Sequence, residues 1–247
     1  MYAAVAIALI AAVTTRFLCN KYFHKARVDH LRTRDDAWTA AQRGDATLLA
    51  VFLSTNDAFR FAQEPSGRHH LLQLLRIAVR NDHVHAVKVI CGALKSCMWR
   101  NPPFQPQFGL AARSNQDGRV IAVLVNANAC VNQLWDGCQS ALHTAANYDN
   151  CGGMGVLIRL KADVNANAMN YGTPLHFAAF KNNAAAAQLL LDHGARTCVF
   201  AQCIIQRDLV GTPLDWAQHC GNAATARVLK QAMRIYEKVS PLVGTSD

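Results

Sequence analysis

Histidine, cysteine and acidic side chains are the residues of this sequence that could do chemistry. The pairs His69-His70 and His83-x-His85 could hold a metal ion, but neither has a cysteine or carboxylate partner at ligand spacing. The nine cysteines are scattered and include no Cys-x-x-Cys pair, which is typical of free thiols in a reducing compartment. We therefore predict no metal site and interpret these histidines as surface residues.

Patterns typical of catalysis are missing as well. The chain has only two glutamates, Glu64 and Glu237, and it contains no phosphate-binding loop, nucleophile elbow or paired-carboxylate motif. The tripeptide Arg43-Gly44-Asp45 spells an adhesion motif, but Gly-Asp is also common turn chemistry between two helices. We predict no catalytic residues, no cofactor and no small-molecule substrate, so the chain is not expected to be an enzyme.

The formal net charge of +9 is unevenly distributed along the 247 residues. Residues 1–34 carry six basic residues against one acidic residue, so more than half of the net charge lies there. A nucleic-acid binder would carry this charge on its folded domain. We therefore predict no nucleic-acid partner, while the 51% hydrophobic content is enough for a substantial core.

The N-terminal sequence MYAAVAIALIAAVTTRFL is apolar until Arg16 and is followed by basic residues. Its uncharged run of 15 residues is shorter than the ~20 that comfortably span a bilayer. One interpretation is a membrane anchor at 1–20 and a basic linker at 21–34, with the remainder in the cytosol, as in proteins of the mitochondrial outer membrane or endoplasmic reticulum. The alternative is a soluble cytoplasmic protein whose apolar helix caps the folded array.

A self-similar unit runs through the rest of the chain. The stretch GTPLHFAAFKNNAAAAQLLLDHGA at 172–195 recurs 33 residues upstream of Thr173, at Ser140, and 39 residues downstream, at Thr212. Weaker copies share its alanines and aliphatic clusters. The copies open at Asp35, Gln73, Gln107, Ser140, Thr173 and Thr212.

Each strong copy has the signals of two short helices. Thr173 is a typical N-cap and Pro174 suits the first helical position, whereas Asn182-Asn183 breaks the run. Gly194 stands where the second helix must end in a left-handed residue. Because one helix pair cannot bury its apolar face alone, we expect the pairs to stack over 35–239, ending in a long helix at about 222–239 and a tail at 240–247.

The motifs GTPLHFAA at 172–179, SALHTAA at 140–146 and GTPLDWA at 211–217, with ADVNA at 162–166, resemble the ankyrin repeat. The resemblance implies an all-α solenoid of about six helix-turn-helix repeats with an N-terminal apolar helix, acting as a non-catalytic protein-binding scaffold. It also implies that His143 and His176 form hydrogen bonds within their repeats. Asn132 and Asn165 occupy the position that asparaginyl hydroxylases modify in many ankyrin repeats.

The resemblance further implies a recognition surface on the concave side, made of hairpin tips and the inner face of each first helix. Arginine and aromatic residues at these positions are typical anchors of protein interfaces. We expect one trough that binds an acidic segment of a partner protein; the alternative is that the same residues are ordinary solvated side chains. The candidate partner-binding residues are Arg43, Arg80, Arg113, Trp135, Tyr148, Tyr171, Phe180 and Lys181.

Two segments interrupt the repeat period. The first, 100–107, is rich in proline and is predicted to be a loop. The second, 197–208, is unusually apolar for a loop, so it either packs on the array or meets a partner, and packing is the expectation.

Overall fold

The computed structural model describes residues 34–54, 65–96, 104–114, 117–134, 139–168, 172–195, 203–206 and 209–239. Within these ranges the chain forms helix pairs and one short β-hairpin. It divides into two compact units, residues 1–99 (unit 1) and residues 100–247 (unit 2). The boundary coincides with the start of the proline-rich segment that interrupts the sequence repeat.

Unit 1 contains two helix pairs within its described residues. The first pair is α1 (Arg34–Arg43) and α2 (Ala46–Leu53), and the second is α3 (Pro65–Arg80) and α4 (Val84–Ser96). The first helices pack against each other, as do the second helices. Leu49, Leu74 and Ile90 are among the fully buried side chains that form its core.

Unit 2 contains four further pairs. They are α5 (Gln105–Ser114) with α6 (Arg119–Asn126), α7 (Ala141–Asn147) with α8 (Cys151–Arg159), α9 (Pro174–Lys181) with α10 (Ala184–Asp192), and α11 (Pro213–His219) with α12 (Ala223–Val239). The first helices α5, α7, α9 and α11 pack in a row, and the second helices α6, α8, α10 and α12 form a parallel row. This arrangement shares the apolar faces between neighbouring pairs, as the sequence predicts.

Small residues on the first helices and leucines on the second helices fill the core of unit 2. The alanines at 145, 178 and 217 are fully buried, which lets the first helices approach closely. The second helices α8, α10 and α12 are each preceded directly by an asparagine. The leucine seven residues after each asparagine is also fully buried; these are Leu157, Leu190 and Leu229. Each such leucine contributes about 1.5–3 kcal/mol by leaving water.

The opening residues of the copies are helix N-caps in three copies and lie inside helices in the other three. Ser140, Thr173 and Thr212 are N-caps with extended backbone angles, and Pro174 and Pro213 take the first helical position. Asp35, Gln73 and Gln107 lie inside α1, α3 and α5, which begin at Arg34, Pro65 and Gln105. Without a hydroxyl cap, the apolar stripe defines the phase of a helix but not where it begins.

The turn chemistry agrees with the sequence. Asn182 ends α9 with a left-handed φ of 61°, in agreement with the expected break at Asn182-Asn183. Gly194 follows α10 with a φ of 94°, which is the left-handed conformation expected of it. The last helix, α12, ends at Val239, close to the expected limit.

The two irregular segments differ from their predictions. The segment at 197–208 was expected to be a loop, but β1 (Cys203–Gln206) pairs with β2 (Leu209–Gly211) in an antiparallel hairpin. Ile204, Ile205 and Val210 favour extended backbone, so their apolar character reflects strand formation. The segment at 100–107 was also predicted to be a loop, yet α5 begins at Gln105 with Pro106 in its first turn, where proline is tolerated.

Within the described residues, no helix combines the length and the apolar character needed to cross a bilayer. The predicted anchor at 1–20, the tail at 240–247 and all but Arg34 of the predicted linker at 21–34 lie outside those residues.

Candidate functional site

A buried histidine fixes the start of the first helix in two pairs of unit 2. The Ser140 N–H donates to Nδ1 of His143 over 3.1 Å, with the Ser140 hydroxyl 2.8 Å from the same atom. Because Nδ1 accepts, the proton is assigned to Nε2, which lies 3.0 Å from the Gly172 carbonyl oxygen and donates to it. His176 repeats this arrangement with Thr173 at 3.2 and 2.9 Å.

The buried setting of His143 gives it a structural role. Burial lowers its pKa from 6.5 to about 4, although hydrogen bonds with the backbone of Gly172 and Ala166 act in the opposite direction. The ring is therefore neutral at physiological pH and holds Ser140 and Gly172 together. This geometry agrees with the hydrogen-bonding role that the family resemblance implies for His143.

The last pair forms the same capping box with a carboxylate. Asp215 replaces the usual histidine, and its Oδ2 accepts from the Thr212 N–H at 2.7 Å and from the Thr212 hydroxyl at 2.8 Å. The Thr212 hydroxyl oxygen in turn accepts from the Asp215 N–H at 3.2 Å. The departure of Asp215 from the motif therefore preserves the helix start.

Amide side chains hold the other ends of the first helices in unit 2. The Nδ2 groups of Asn150, Asn183 and Asn222 donate to the carbonyl oxygens of Ala112, Ala146 and Ala179 in the preceding pair, at 2.9, 2.7 and 2.7 Å. Each bond satisfies a carbonyl left without a partner at a helix C-terminus. These bonds bring the C-terminal ends of α5, α7 and α9 to equivalent positions in neighbouring pairs.

We name a set of residues at the C-terminal ends of α5, α7, α9 and α11 the end row; all are exposed except the half-buried Asn147. Its members in unit 2 are Arg113, Asn147, Tyr148, Phe180, Lys181 and His219. Tyr148 and Phe180 are two of the few large apolar side chains that remain exposed, at 44% and 38%. Exposed aromatic residues beside cations are the composition of interface anchors.

The structure brings four predicted site residues together as two cation–aromatic pairs. The Arg113 guanidinium carbon lies 4.6 Å from the centre of the Tyr148 ring, and the Lys181 Nζ lies 5.1 Å from the centre of the Phe180 ring. Such contacts are worth about 0.5–1 kcal/mol at exposed sites and hold long cationic side chains in place. The pairs thus present ordered positive charge beside apolar surface.

No carboxylate belongs to the end row of unit 2 among the described residues. The nearest acid in sequence, Asp149, has a φ of 54°, and its Oδ1 accepts from the Ala186 N–H at 3.3 Å. Its carboxylate therefore interacts with the start of α10 rather than with Arg113 or Lys181. The end row can accept a negatively charged group without first displacing an internal partner.

Four other predicted site residues stand apart from these pairs. Arg43 and Arg80 are exposed at the ends of α1 and α3 within unit 1. Trp135 and Tyr171 lie outside the described residues.

Sequence reasoning missed two tryptophans. Trp216 on α11 is buried. The centre of its ring lies 4.9 Å from that of His176 and 6.5 Å from that of Phe180, and both contacts are edge-to-face. Trp216 therefore packs against Phe180 of the end row. Trp38 on α1 is 39% exposed. Its position could have been found from helical spacing, because Trp38 and Gln42 are four residues apart and therefore lie on one face of α1.

The described residues offer little to catalysis. They contain no group of three or more His, Cys, Asp or Glu side chains placed to hold a metal ion. Burial raises the pKa of the Cys91 thiol to about 12, and it also raises that of Cys151, next to the Asp149 carboxylate. Both thiols are therefore protonated at neutral pH and poor nucleophiles.

The asparagine at the family's modification position has a structural function here. Asn132 donates from Nδ2 to the Lys161 carbonyl oxygen at 3.1 Å, and its Oδ1 accepts from the Asp163 N–H at 2.9 Å. It thereby links the loops that follow two successive second helices. Asn165 is exposed, and its N–H donates to Oδ1 of Asp163 at 2.9 Å.

Comparison with known proteins supports the repeat. Residues 108–201 match the family model described as ankyrin repeats in three copies. No curated protein matches the chain. The matched range covers α6 to α10 completely together with most of α5, and it contains the capping boxes of Ser140 and Thr173 and the bonds of Asn150 and Asn183. With this match and this geometry together, residues 108–201 are identified as ankyrin repeats.

Proposed function

We propose that this protein is a non-catalytic scaffold that binds an acidic segment of a partner protein along the end row of unit 2. The observation that carries the proposal is the pairing of Arg113 with Tyr148 and of Lys181 with Phe180 on exposed helix ends, where the adjacent Asp149 carboxylate accepts from the Ala186 N–H. Arg43 and Arg80 would extend the same type of surface on unit 1. Ankyrin repeats typically bind protein partners, which favours this type of function.

The chemistry of the end row selects the partner. A partner carboxylate can bind the guanidinium group of Arg113 or the ammonium group of Lys181, while a neighbouring apolar side chain of the partner covers Tyr148 or Phe180. Adjacent helices lie about 8–10 Å apart, and an extended chain advances about 3.3 Å per residue. Acidic residues about three positions apart in the partner would therefore have the same spacing as the ends of neighbouring first helices. An acidic and partly aromatic or aliphatic segment fits best.

A quantitative pull-down tests the proposal. The full chain serves as bait, and the double variant Arg113→Glu/Lys181→Glu is compared with the wild-type protein by mass spectrometry. Recovery of acidic partners should fall by about tenfold or more, because charge reversal at two interface anchors opposes binding. Unchanged recovery rejects the end row as the binding surface.

A matched control separates the end row from net charge. The double variant Arg159→Glu/Lys230→Glu makes the same charge change at exposed positions on the second helices α8 and α12. Recovery with this control should stay within about twofold of the wild type, since distant surface charges act mainly through a screened field. Equal losses in both variants would attribute binding to overall charge.

Tethering to a membrane is the second part of the proposal. The order of an apolar segment followed by basic residues in 1–34 supports an anchor at 1–20 that leaves the repeats in the cytosol. Carbonate extraction of the full chain and of a chain lacking residues 1–20 tests it. The full chain should stay with the membranes and the shortened chain should not. Recovery of both chains in the soluble fraction instead supports the alternative, a soluble adaptor or inhibitor whose apolar helix caps the repeats.

A further inference from the structure

One position of the repeat has a different environment in unit 1 and in the two pairs of unit 2 that carry a histidine there. Equivalent backbone bonds fix the register: the N–H groups of Asp45, His83, Asn150 and Asn183 donate to the carbonyls of Ala40, Ala78, Ala145 and Ala178, each at 2.9 Å. Two residues before those alanines stand Trp38 and Arg76 in unit 1, and His143 and His176 in unit 2. Both histidines are fully buried, whereas Trp38 is 39% exposed and Arg76 is exposed.

The exposed position belongs to a longer stripe on α3. His69, Gln73, Arg76 and Arg80 follow the spacing i, i+4, i+7 and i+11, so they share one face of this helix. Leu71, Leu75 and Ala78 are buried on the opposite face. The stripe spans about 16 Å along the helix axis. Trp38 and Gln42 of α1, which packs against α3, complete what we name the unit 1 stripe.

The helix pair that carries most of the unit 1 stripe, 65–96, is strongly positive, whereas α1 carries Asp35 and Asp36 against Arg34 and Arg43. Helix α3 contains no acidic residue, and the whole second pair, 65–96, contains one acid, Asp82. The basic residues of this pair are Arg68, Arg76, Arg80, Lys88 and Lys95. A surface of one sign attracts ligands of the opposite sign. The chain's own basic segment, 1–34, is repelled by this field and is a poor occupant.

Resting on the proposed function, which already assigns Arg80 to protein binding, we propose that the unit 1 stripe is a docking surface of its own, which binds an acidic segment of a partner protein. Carboxylates bind the guanidinium groups of Arg76 and Arg80, and an apolar side chain of the segment covers the exposed indole of Trp38. Arginine binds carboxylates in a planar, bidentate geometry that lysine cannot reproduce. The span of the stripe corresponds to about five residues of an extended chain.

A protein segment fits this surface better than a nucleic acid does. Binding to a phosphate backbone depends on many neutralised phosphates, about six to ten in typical complexes. The stripe offers two guanidinium groups beside one large indole, which is the composition of a protein interface hot spot. The exposed indole also favours a ligand with apolar side chains.

Fluorine NMR on the full chain tests this proposal. The four tryptophans are labelled with 5-fluorotryptophan, and the variant Trp38→Phe assigns the signal of Trp38. The labelled chain is titrated with a short synthetic peptide rich in glutamate and leucine, with its counterpart in which lysine replaces glutamate, and with a short oligouridine RNA. The acidic peptide should shift the Trp38 signal saturably, and the other two probes should not.

Substitutions at the stripe locate the binding site. Arg76→Glu should lower the affinity for the acidic peptide by about tenfold or more. Arg76→Lys should retain part of this affinity because the positive charge remains. The end-row variant Arg113→Glu/Lys181→Glu should leave the Trp38 titration unchanged, so this test is independent of the unit 2 proposal.

Several results would overturn the proposal. The surface is not a docking site for acidic protein segments if the Trp38 signal stays fixed, or if Arg76→Glu binds the peptide as the wild type does. A shift of equal size with the lysine peptide indicates unspecific contact, and one with the RNA assigns the stripe to nucleic acid. Loss of the Trp38 shift in the variant Arg113→Glu/Lys181→Glu would show that the peptide binds at the end row and not at the unit 1 stripe.

Discussion

One repeat position is used in opposite ways in unit 1 and in two pairs of unit 2. In the pairs that begin with α7 and α9 the position carries His143 and His176, which are buried and hydrogen-bonded to the helix N-caps. In unit 1 it carries Trp38 and Arg76, which face solvent. A repeat position therefore has no fixed role. Where its side chain is covered and capped it stabilises the fold, and where it is open it is available for recognition.

The turns between paired helices show a second difference. Unit 2 uses the asparagine before each second helix to hold the end of the preceding first helix, whereas in unit 1 His83 has this position, with its Nε2 2.8 Å from the Gln42 carbonyl oxygen, which also accepts from Asn81 Nδ2 at 3.3 Å. Asn150 is fully buried, while His83 is half-buried. The cost of losing this link should therefore be larger in unit 2 than in unit 1.

The largest expected effect follows from this second difference. Asn150→Ala removes the bond from Nδ2 to the Ala112 carbonyl and the bond that Oδ1 accepts from the Gly153 N–H at 2.8 Å, which leaves two buried groups unpaired. The free energy of unfolding should fall by about 3 kcal/mol. His83→Ala should cost only about 1 kcal/mol, because water can replace its bond. Urea denaturation with hydrogen exchange in each unit measures both; equal losses would remove the contrast.

Acid should destabilise unit 2 through His143. Its native pKa of about 4 lies below the ordinary 6.5, so the unfolded chain binds the proton first as the pH falls. The stability that the neutral ring provides is complete above pH 6.5, and about 3 kcal/mol of it is lost by pH 4. Denaturation midpoints across this range should fall steeply for the wild type and less for His143→Gln, which keeps a capping side chain. Parallel curves for the two proteins would contradict the assignment.

A pair of glycine substitutions compares the inter-helix turns. Gly44 in unit 1 and Gly221 in unit 2 have φ of 73° and 71°, so alanine is strained at either position by about 1 kcal/mol. At Gly44 a Cβ would also lie 2.5 Å from the His83 ring, whereas at Gly221 it would meet nothing. Gly44→Ala should therefore cost about 2 kcal/mol and Gly221→Ala about 1 kcal/mol. Equal thermal shifts would show that the His83 ring moves aside freely.

The sequence predicted the strong copies of the repeat well because their signals are local. Thr173, Pro174 and Gly194 each restrict the backbone near themselves, so their roles follow from residue type and spacing. The start of α3 at Pro65, eight residues before the expected Gln73, had no such local cap to reveal it. The hairpin at 203–211 depends on pairing between two strands, which apolar composition alone does not specify.

The candidate site was predictable in type but not in its pairings. Arg113, Tyr148, Phe180 and Lys181 follow from the position of the helix ends in the repeat. Arg113 stacks on Tyr148 of the next helix pair. This contact depends on the offset between neighbouring helices, which cannot be predicted from the sequence. The exposure of Trp38 was missed because the same repeat position is buried in the strong copies that served as the pattern.

The most direct test of the contrast between the units is the change in unfolding free energy on replacing equivalent residues, His176→Ala in unit 2 and Arg76→Ala in unit 1. The unfolding free energy should fall by about 2 kcal/mol for His176→Ala, because the His176 ring bonds to the Thr173 cap and contacts Trp216. It should change by no more than about 0.5 kcal/mol for Arg76→Ala, because Arg76 is exposed. Equal losses at the two positions would contradict this contrast, because Arg76 would then support the fold as the buried histidine does.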